Sequence, residues 1–205
     1  MKLYYKAGAC SLSPHIVLHE SGLPFDIEAV DLTTKVTASG ADFFKISPNG
    51  YVPALAVEAG AGLTEVLTEG PAIVQYIADL VPEKSLAPAN GTIERVRLQT
   101  WLNLISTELH KSHSPLFNPK APEEWKAMMR DLIGRRYAMI ATQLDGKDYL
   151  MGNFTVADAY LFTVMGWGRF VGIDIAQWPV LAAYHARVKA RPAVQAAMKA
   201  EGLIK

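Results

Sequence analysis

Lys2-Leu3-Tyr4-Tyr5-Lys6-Ala7-Gly8-Ala9-Cys10-Ser11-Leu12-Ser13-Pro14 is the stretch that decides the fold of this chain. A short strand pattern passes through a tight turn into a helix, for which Ser11 or Ser13 is the predicted cap and Pro14 lies in the first turn. Cys10 therefore stands beside unpaired backbone N–H groups and the positive end of a helix dipole, which favour a thiolate. The alternative for a lone cysteine is a small buried hydrophobe, and position alone leaves both interpretations open.

Cys10 is the only cysteine among the 205 residues. Enzymes that form an internal disulfide at such a junction carry Cys-x-x-Cys, whereas the fourth position here is Ser13. Because the chain has no resolving cysteine, Cys10 pairs only with an external thiol. A single cysteine also excludes a disulfide framework and fits a reducing compartment, so we expect a cytoplasmic protein.

Charge, hydropathy and histidine spacing exclude several classes of protein. Lys+Arg and Asp+Glu number 20 each, which predicts neither a nucleic-acid-binding surface nor a polybasic membrane patch. No segment approaches the roughly 20 uninterrupted apolar residues of a membrane span. No metal site is predicted, because the pairs His15/His19 and His110/His113 both lack the spacing of a third ligand.

The predicted secondary structure changes once along the chain, from mixed strands and helices to helices only. Over residues 1–81 predicted strands alternate with predicted helices, which indicates a mixed sheet with helices on its faces. The predicted strands are 3–6, 25–32, 51–57 and 63–67, with a Gly-rich turn at 59–62, and the predicted helices are 14–21, 41–46 and 71–80. Two prolines and a glycine in 82–91 predict a linker. Residues 92–205 predict an all-helical domain, with helices at 93–111, 122–144, 156–171 and 178–190 and a last one opened by Pro192.

Val52-Pro53 lies at the start of a predicted strand, where a proline cannot donate to the ladder. An ordinary trans proline at a strand edge is one interpretation. A cis bond is the other, and it would turn the backbone of Val52 toward a ligand. Thioredoxin-like folds place a cis-proline at this point of the element order, which favours the second interpretation by analogy. Pro53 has a structural role in either case.

Thr68-Glu69-Gly70-Pro71 marks a strand-to-helix junction, with Pro71 in the first helical turn. Free N–H groups at a helix start bind a carboxylate, and Glu69 beside them can bind an ammonium. The two charges match the head of a zwitterionic α-amino acid. The alternative is that Glu69 only complements the helix dipole.

Two further motifs lie in the helical part. Asn103, Ser106 and His110 recur at i, i+3 and i+7 and so share one face of the predicted helix, away from its apolar stripe. Such a face borders a cleft or is simply solvated, and Lys111 next to it would stabilise a thiolate. Thr155-Val156-Ala157-Asp158 is a capping box, so Thr155 and Asp158 are predicted to be structural.

Together these features resemble the cytosolic glutathione transferases, and specifically their bacterial beta class. The resemblance runs the full chain and rests on motifs in the family's order: Gly8-Ala9-Cys10-Ser11-Leu12-Ser13-Pro14-His15, Pro48-Asn49-Gly50-Tyr51-Val52-Pro53, Leu67-Thr68-Glu69-Gly70, Trp101-Leu102-Asn103, Glu108-Leu109-His110-Lys111 and Phe154-Thr155-Val156-Ala157-Asp158-Ala159-Tyr160. It implies a thioredoxin-like α/β N-terminal domain, an all-α C-terminal helical domain and a homodimer. The one departure is the stretch 58–66, which is longer than the family pattern.

The resemblance also implies the site. Its predicted glutathione-binding residues are Cys10, Lys35, Val52, Glu69 and Gly70, with Asn103 from the partner chain and with His110 and Lys111 from the helical domain. Cys10 and His110 are the predicted catalytic residues. An apolar cosubstrate would lie between the domains, against walls formed by Tyr5, Leu12, Phe117 and Trp167.

The implied activity is conjugation of the glutathione thiolate to hydrophobic electrophiles, with thiol-disulfide exchange through Cys10 as a second reaction. Glutathione is then a substrate, and no cofactor is expected. Two other classes stay open. Strong disulfide exchange with weak aromatic conjugation would indicate a glutathione-dependent redox protein. Failure to bind immobilised glutathione would indicate a non-catalytic binding module.

Overall fold

The computed structural model describes residues 1–60 and 62–205, which form two compact units. The first unit comprises Met1–Leu86 and Arg191–Lys205, and the second comprises Ala87–Ala190. The division after Leu86 falls inside the predicted linker. The predicted turn at 59–62 includes Ala61, which lies outside the described residues.

The first unit contains a mixed sheet. In chain order the strands are β1 (Lys2–Tyr5), β2 (Asp26–Asp31), β3 (Val36–Thr37), β4 (Ala54–Glu58) and β5 (Thr64–Thr68). The described residues order them β3-β2-β1-β4-β5, with β1 parallel to β2 and the other pairs antiparallel. The predicted mixed sheet is therefore confirmed.

Helices make up the rest of both units. In chain order they are α1 (Leu12–Ser21), α2 (Gly70–Asp79), α3 (Ile93–Leu104), α4 (Lys111–Phe117), α5 (Glu123–Leu144), α6 (Val156–Met165), α7 (Gly168–Val171), α8 (Pro179–Lys189) and α9 (Pro192–Ala200). A π-helical segment, Ile105–His110, joins α3 to α4, and short 3₁₀ turns occur at Phe43–Lys45, Pro82–Lys84 and Ile175–Gln177. The second unit is helical, as predicted.

The sheet buries apolar residues on both of its faces. Leu3 is paired with Leu55, and both are fully buried. On the other face Tyr4 is paired with Ala54 and contacts the ring of Phe43. Alternate side chains of a strand point to opposite faces, so this arrangement leaves the ends of the strands, rather than the faces, for a polar site.

Two predictions in the first unit are wrong in detail. The predicted helix 41–46 is only the 3₁₀ turn Phe43–Lys45, whose N-cap is the side chain of Asp42. The predicted strand 51–57 begins three residues later, at Ala54, because Pro53 has no N–H with which to join the ladder. The two-residue strand β3 was not predicted, since its pattern is too short to stand out.

The C-terminal segment corrects the predicted domain boundary, since the last residues of 92–205 pack in the first unit. Arg191 forms a bidentate ion pair with Glu20 of α1, at 2.7 and 2.9 Å. Just after α9, Glu201 accepts a hydrogen bond from His15, which also lies in α1, at 2.9 Å. These contacts join positions far apart in the sequence, which helix periodicity cannot reveal.

Two predicted helices of the second unit also differ from the structure. The predicted helix 93–111 continues to Phe117 through the π-helical segment. The predicted helix 156–171 is interrupted, because α6 ends at Met165 and α7 starts at Gly168. A Cβ on Gly168 would lie 2.5 Å from a backbone oxygen, so only glycine fits this close approach.

α6 is buried on every side and forms the centre of the second unit. Its first turn carries the predicted capping box. The Asp158 carboxylate accepts hydrogen bonds from the backbone N–H of Thr155 (2.8 Å) and of Leu150 (2.9 Å) and from the Tyr184 hydroxyl (2.9 Å). Among the described residues, no helix has the length and hydrophobicity that crossing a bilayer requires.

Candidate active site

Cys10 lies in the turn between β1 and α1, where the sequence predicts it. Its Sγ donates a hydrogen bond to the backbone oxygen of Val52, 3.2 Å away. Ser11 occupies the N-cap position, but its hydroxyl does not cap the helix. It accepts from the N–H of Lys6 and donates to the oxygen of the same residue, at 3.1 and 3.2 Å. The serine therefore closes the turn that presents the thiol.

The charge state of the Cys10 thiol, which its position in the sequence leaves open, depends on burial in this structure. Burial raises the pKa of the thiol to about 11. The backbone N–H groups of Cys10 and Ser11 act in the predicted direction and lower it, while the charge of Glu69 raises it. Because burial outweighs the helix start, Cys10 is a neutral hydrogen-bond donor at pH 7 in this structure.

The β4–β5 hairpin brings two of the predicted motifs together. Ala54 pairs with Thr68, so the residues just before β4 and just after β5 share one end of the hairpin. A Cβ on Gly70 would lie 3.8 Å from the ring of Pro53. The Val52-Pro53 peptide bond is cis, which settles the open alternative. Through its bond to Val52, Cys10 belongs to the same cluster.

Glu69 is the N-cap residue of α2 but does not cap it, because its side chain forms no capping hydrogen bond. The side chain is exposed, and the backbone is held at a positive φ of 65°. Such a conformation is uncommon for a residue other than glycine and concentrates at functional sites. This geometry favours a binding role for Glu69 over a capping one.

Lys35 joins this cluster from the loop after β2. Its Nζ donates to the backbone oxygen of Gly50 at 2.8 Å and lies 5.6 Å from the ring centroid of Tyr51. Both contacted residues immediately precede Val52. The structure therefore gathers all five predicted residues of the first unit, Cys10, Lys35, Val52, Glu69 and Gly70, at one end of the sheet.

The predicted residues of the second unit lie along α3, the π-helical segment and α4. Asn103 and Lys111 are exposed, and His110 is half-buried. The spacing that placed Asn103, Ser106 and His110 on one face assumed a regular α-helix. The backbone N–H of Lys111 bonds instead to the oxygen of Ser106, an i→i+5 bond, so the wider turn changes the direction in which His110 points.

His110 is held by aromatic neighbours. Its Nδ1 is 2.6 Å from the hydroxyl of Tyr160, and its ring meets that of Trp167 edge-on at 4.9 Å. Burial, helped by the nearby His113 and the Lys111 ammonium, lowers the pKa of His110 to about 4. The imidazole is therefore neutral at pH 7. No sequence pattern assigns Tyr160 to the site, because it lies in an almost wholly apolar helix.

Of the four residues predicted to contact the cosubstrate, two belong to the first unit and two to the second. In the first unit Leu12 is buried, and Tyr5 lies against the ring of His15. In the second unit Phe117 and Trp167 meet edge-on at 6.2 Å. Among the described residues, no three acidic, histidine or cysteine side chains are grouped as a metal site requires.

Comparison with known proteins gives the context for these clusters. Residues 7–80 match the family model "Glutathione S-transferase, N-terminal domain", and residues 104–192 match "Glutathione S-transferase, C-terminal domain". The chain is 44% identical to glutathione S-transferase GstA of Escherichia coli O157:H7, over 99% of this chain and 100% of that one.

Solved structures agree with the family models. A sphingomonad glutathione S-transferase complexed with glutathione has a TM-score of 0.94 and 45% identity, and the alignment covers 100% of both chains. A bacterial beta class glutathione S-transferase from Sphingomonas chungbukensis has a TM-score of 0.94 and 44% identity, again over 100% of both chains. This chain belongs to the glutathione S-transferase family, and its resemblance to the beta class is confirmed.

Proposed function

We propose that this transferase binds glutathione at the cluster of the first unit and transfers its thiolate to a hydrophobic electrophile. The observation that carries the proposal is the hydrogen bond from Cys10 Sγ to the oxygen of Val52, at the end of the hairpin that also presents Glu69 and Gly70. A thiol, the peptide group of Val52 and the start of α2 thus lie within one cluster.

Each part of this cluster suits one part of the tripeptide. The Glu69 carboxylate takes the α-ammonium, and the N–H of Gly70, at the positive end of α2, takes the α-carboxylate beside it. The N–H of Val52 has no hydrogen-bond partner among the described residues, and it pairs with the peptide backbone as in strand addition. The Lys35 ammonium takes the remaining carboxylate.

The chemical step requires the glutathione thiol as thiolate, although free thiols are mostly protonated at pH 7. Lowering this pKa by two units takes about 2.7 kcal/mol of differential stabilisation, which two hydrogen bonds to the thiolate can supply. We assign these donors to the neutral Cys10 thiol and to His110, with the Lys111 charge in support. The sulfur lone pair then attacks an electrophilic carbon, and the leaving group departs with the bonding electrons.

The remaining assignments extend the same proposal. The protein is a cytoplasmic homodimer in which Asn103 of the partner subunit completes the glutathione site. Phe117 and Trp167 supply part of an apolar wall for the electrophile. Sedimentation tests the dimer, and a fully active monomer at micromolar concentration would contradict it.

Calorimetric titration with glutathione tests the site itself. Glu69→Ala should weaken binding by about 2–3 kcal/mol, because a charge-assisted ion pair to the ammonium is lost. Glu65→Ala is the matched control, since it removes an exposed carboxylate from β5 of the same hairpin. Equal affinities for both variants and the parent protein would overturn the assignment of Glu69.

A further inference from the structure

In two histidines of the second unit, His110 and His113, the Nδ1 atom faces different kinds of hydrogen-bond partner. The Nδ1 of His113 lies 2.8 Å from the backbone oxygen of Leu109, which is only an acceptor. His113 must therefore carry its proton on Nδ1. Its Nε2 is buried and has no partner among the described residues.

The Nδ1 of His110 faces a hydroxyl instead, that of Tyr160. A phenol both donates and accepts, so the contact alone permits either direction. The distance of 2.6 Å is short for N–H···O and typical of an O–H donor. This distance favours donation from the Tyr160 hydroxyl to a bare Nδ1, in which case a neutral imidazole carries its proton on Nε2.

The Nε2 of His110 is also the atom that remains available. No described residue forms a hydrogen bond with it, and unlike the Nε2 of His113 it is not sealed from solvent. The charged and titratable groups near the ring are His113, Lys111 and Tyr160. Of these groups only Tyr160 faces Nδ1, through its hydroxyl.

We propose that Tyr160 is a positioning residue for the transfer reaction, because its hydroxyl holds His110 in the Nε2–H form with that N–H free to donate. The inference rests on the proposed function, in which His110 donates to the glutathione sulfur. A histidine with its proton on Nδ1 would present a lone pair to the thiolate and repel it.

The surroundings of His110 hold it in this orientation. Trp167 meets the rings of both histidines edge-on, at 4.9 Å from His110 and 5.6 Å from His113. The wider turn of the π-helical segment sets where His110 leaves the helix. Tyr160 lies in the buried helix α6, so its hydroxyl is a rigid partner.

Nitrogen-15 NMR of the histidine rings in the full-length protein reads the tautomers directly. At pH 7 His110 should show a protonated Nε2 and a bare Nδ1, and His113 should show the reverse pattern in the same spectrum. His110→Gln and His113→Gln assign the signals. A proton on the Nδ1 of His110 would overturn the proposal, whatever the activity of the enzyme.

Kinetics test whether the tyrosine acts through the histidine. Tyr160→Phe should lower kcat for conjugation roughly two- to tenfold, the effect of one hydrogen bond, with little change in KM for glutathione. Tyr137→Phe is the matched control, because its hydroxyl is buried without a described partner. Equal kcat values for these two variants would refute the role of Tyr160.

A double-mutant cycle separates this inference from the proposed function. Once His110 is replaced by Ala, Tyr160→Phe should cost no further activity, since its effect passes through the imidazole. A further loss of the same size would show that Tyr160 acts elsewhere and would overturn the inference. If His110→Ala alone leaves kcat unchanged, the role of His110 in the proposed function fails, while the tautomer measurement still stands.

Discussion

Glu201 makes a buried connection between the C-terminus and the turn that carries Cys10. Its side chain is sealed from solvent. One carboxylate oxygen is 2.9 Å from Nδ1 of His15, and the other accepts from the backbone N–H of Gly8 at 2.9 Å. Gly8 is two residues before Cys10 and has a left-handed backbone, with φ of 71°. We predict that Glu201→Ala destabilises the first unit.

The size of the effect follows from the two partners left behind. Each donor that loses its acceptor costs about 1–3 kcal/mol, so Glu201→Ala, which removes an acceptor from two donors, should cost about 2–6 kcal/mol. Glu201→Gln keeps the shape and one acceptor oxygen but turns an amide N–H toward the other donor. It should therefore be intermediate in free energy of unfolding.

The assay must follow the first unit. Tryptophans 101, 125, 167 and 178 all lie in the second unit, so fluorescence would report the wrong part of the chain. Hydrogen exchange of the amides in β1 and α1 reports the opening free energy of the first unit. Glu83→Ala, at an exposed position of the first unit, is the control and should change stability by less than about 0.5 kcal/mol. A Glu201→Ala effect within 1 kcal/mol of that control would refute the reasoning.

Three further predictions concern other buried polar groups. Cys10→Ala should keep much of the conjugation but lose disulfide exchange. In exchange the Cys10 thiol gives up its proton to solvent, and its sulfur attacks glutathione disulfide, forming a mixed disulfide as the S–S bond breaks and one glutathione leaves. Assays of both reactions in parallel test this, and equal loss of both would contradict the division. Hydrogen bonds from Lys2 and Ser39 outweigh burial and lower the pKa of Glu28 to about 2. The ionised Glu28 therefore stabilises the folded protein above about pH 4.5, and this stabilisation is lost as the pH falls toward 2. Glu28→Gln should therefore cost on the order of 2 kcal/mol in urea unfolding at pH 6 and almost nothing near pH 2; an equal cost at both pH values would contradict this. Asp158→Ala should cost about 3–5 kcal/mol, because it removes the acceptor of four buried donors. Unfolding followed by tryptophan fluorescence measures this cost, and a loss below 1 kcal/mol would argue against it.

Sequence patterns predicted those parts of the structure that depend on interactions between neighbouring residues. The strand, turn and helix around Cys10, the capping box at Thr155 and Asp158, and the break near residue 86 all follow from neighbours in the sequence. Glu69 and Gly70 lie near Val52 because β4 and β5 pair as a hairpin. The Gly-rich turn between two predicted strands is the sequence pattern that indicates such a hairpin.

The rest depends on contacts between distant residues. The acidity of Cys10 could not be predicted from its position, because burial and the charge of Glu69 oppose the helix start and both effects exist only in the folded chain. The π-helical segment changes the direction in which His110 points, and residue spacing in the sequence does not predict such a segment. Lys35 meets Gly50 across a loop, and Glu201 meets His15 from the other end of the chain.

The central claim is that the cluster of the first unit is the glutathione site. A crystal structure of the protein with glutathione tests it most directly. The account predicts the glutathione sulfur within hydrogen-bond contact of Cys10, the tripeptide backbone paired with Val52, and the α-ammonium on Glu69. Glutathione bound with its amino-acid head away from Glu69 and its sulfur away from Cys10 would contradict the account.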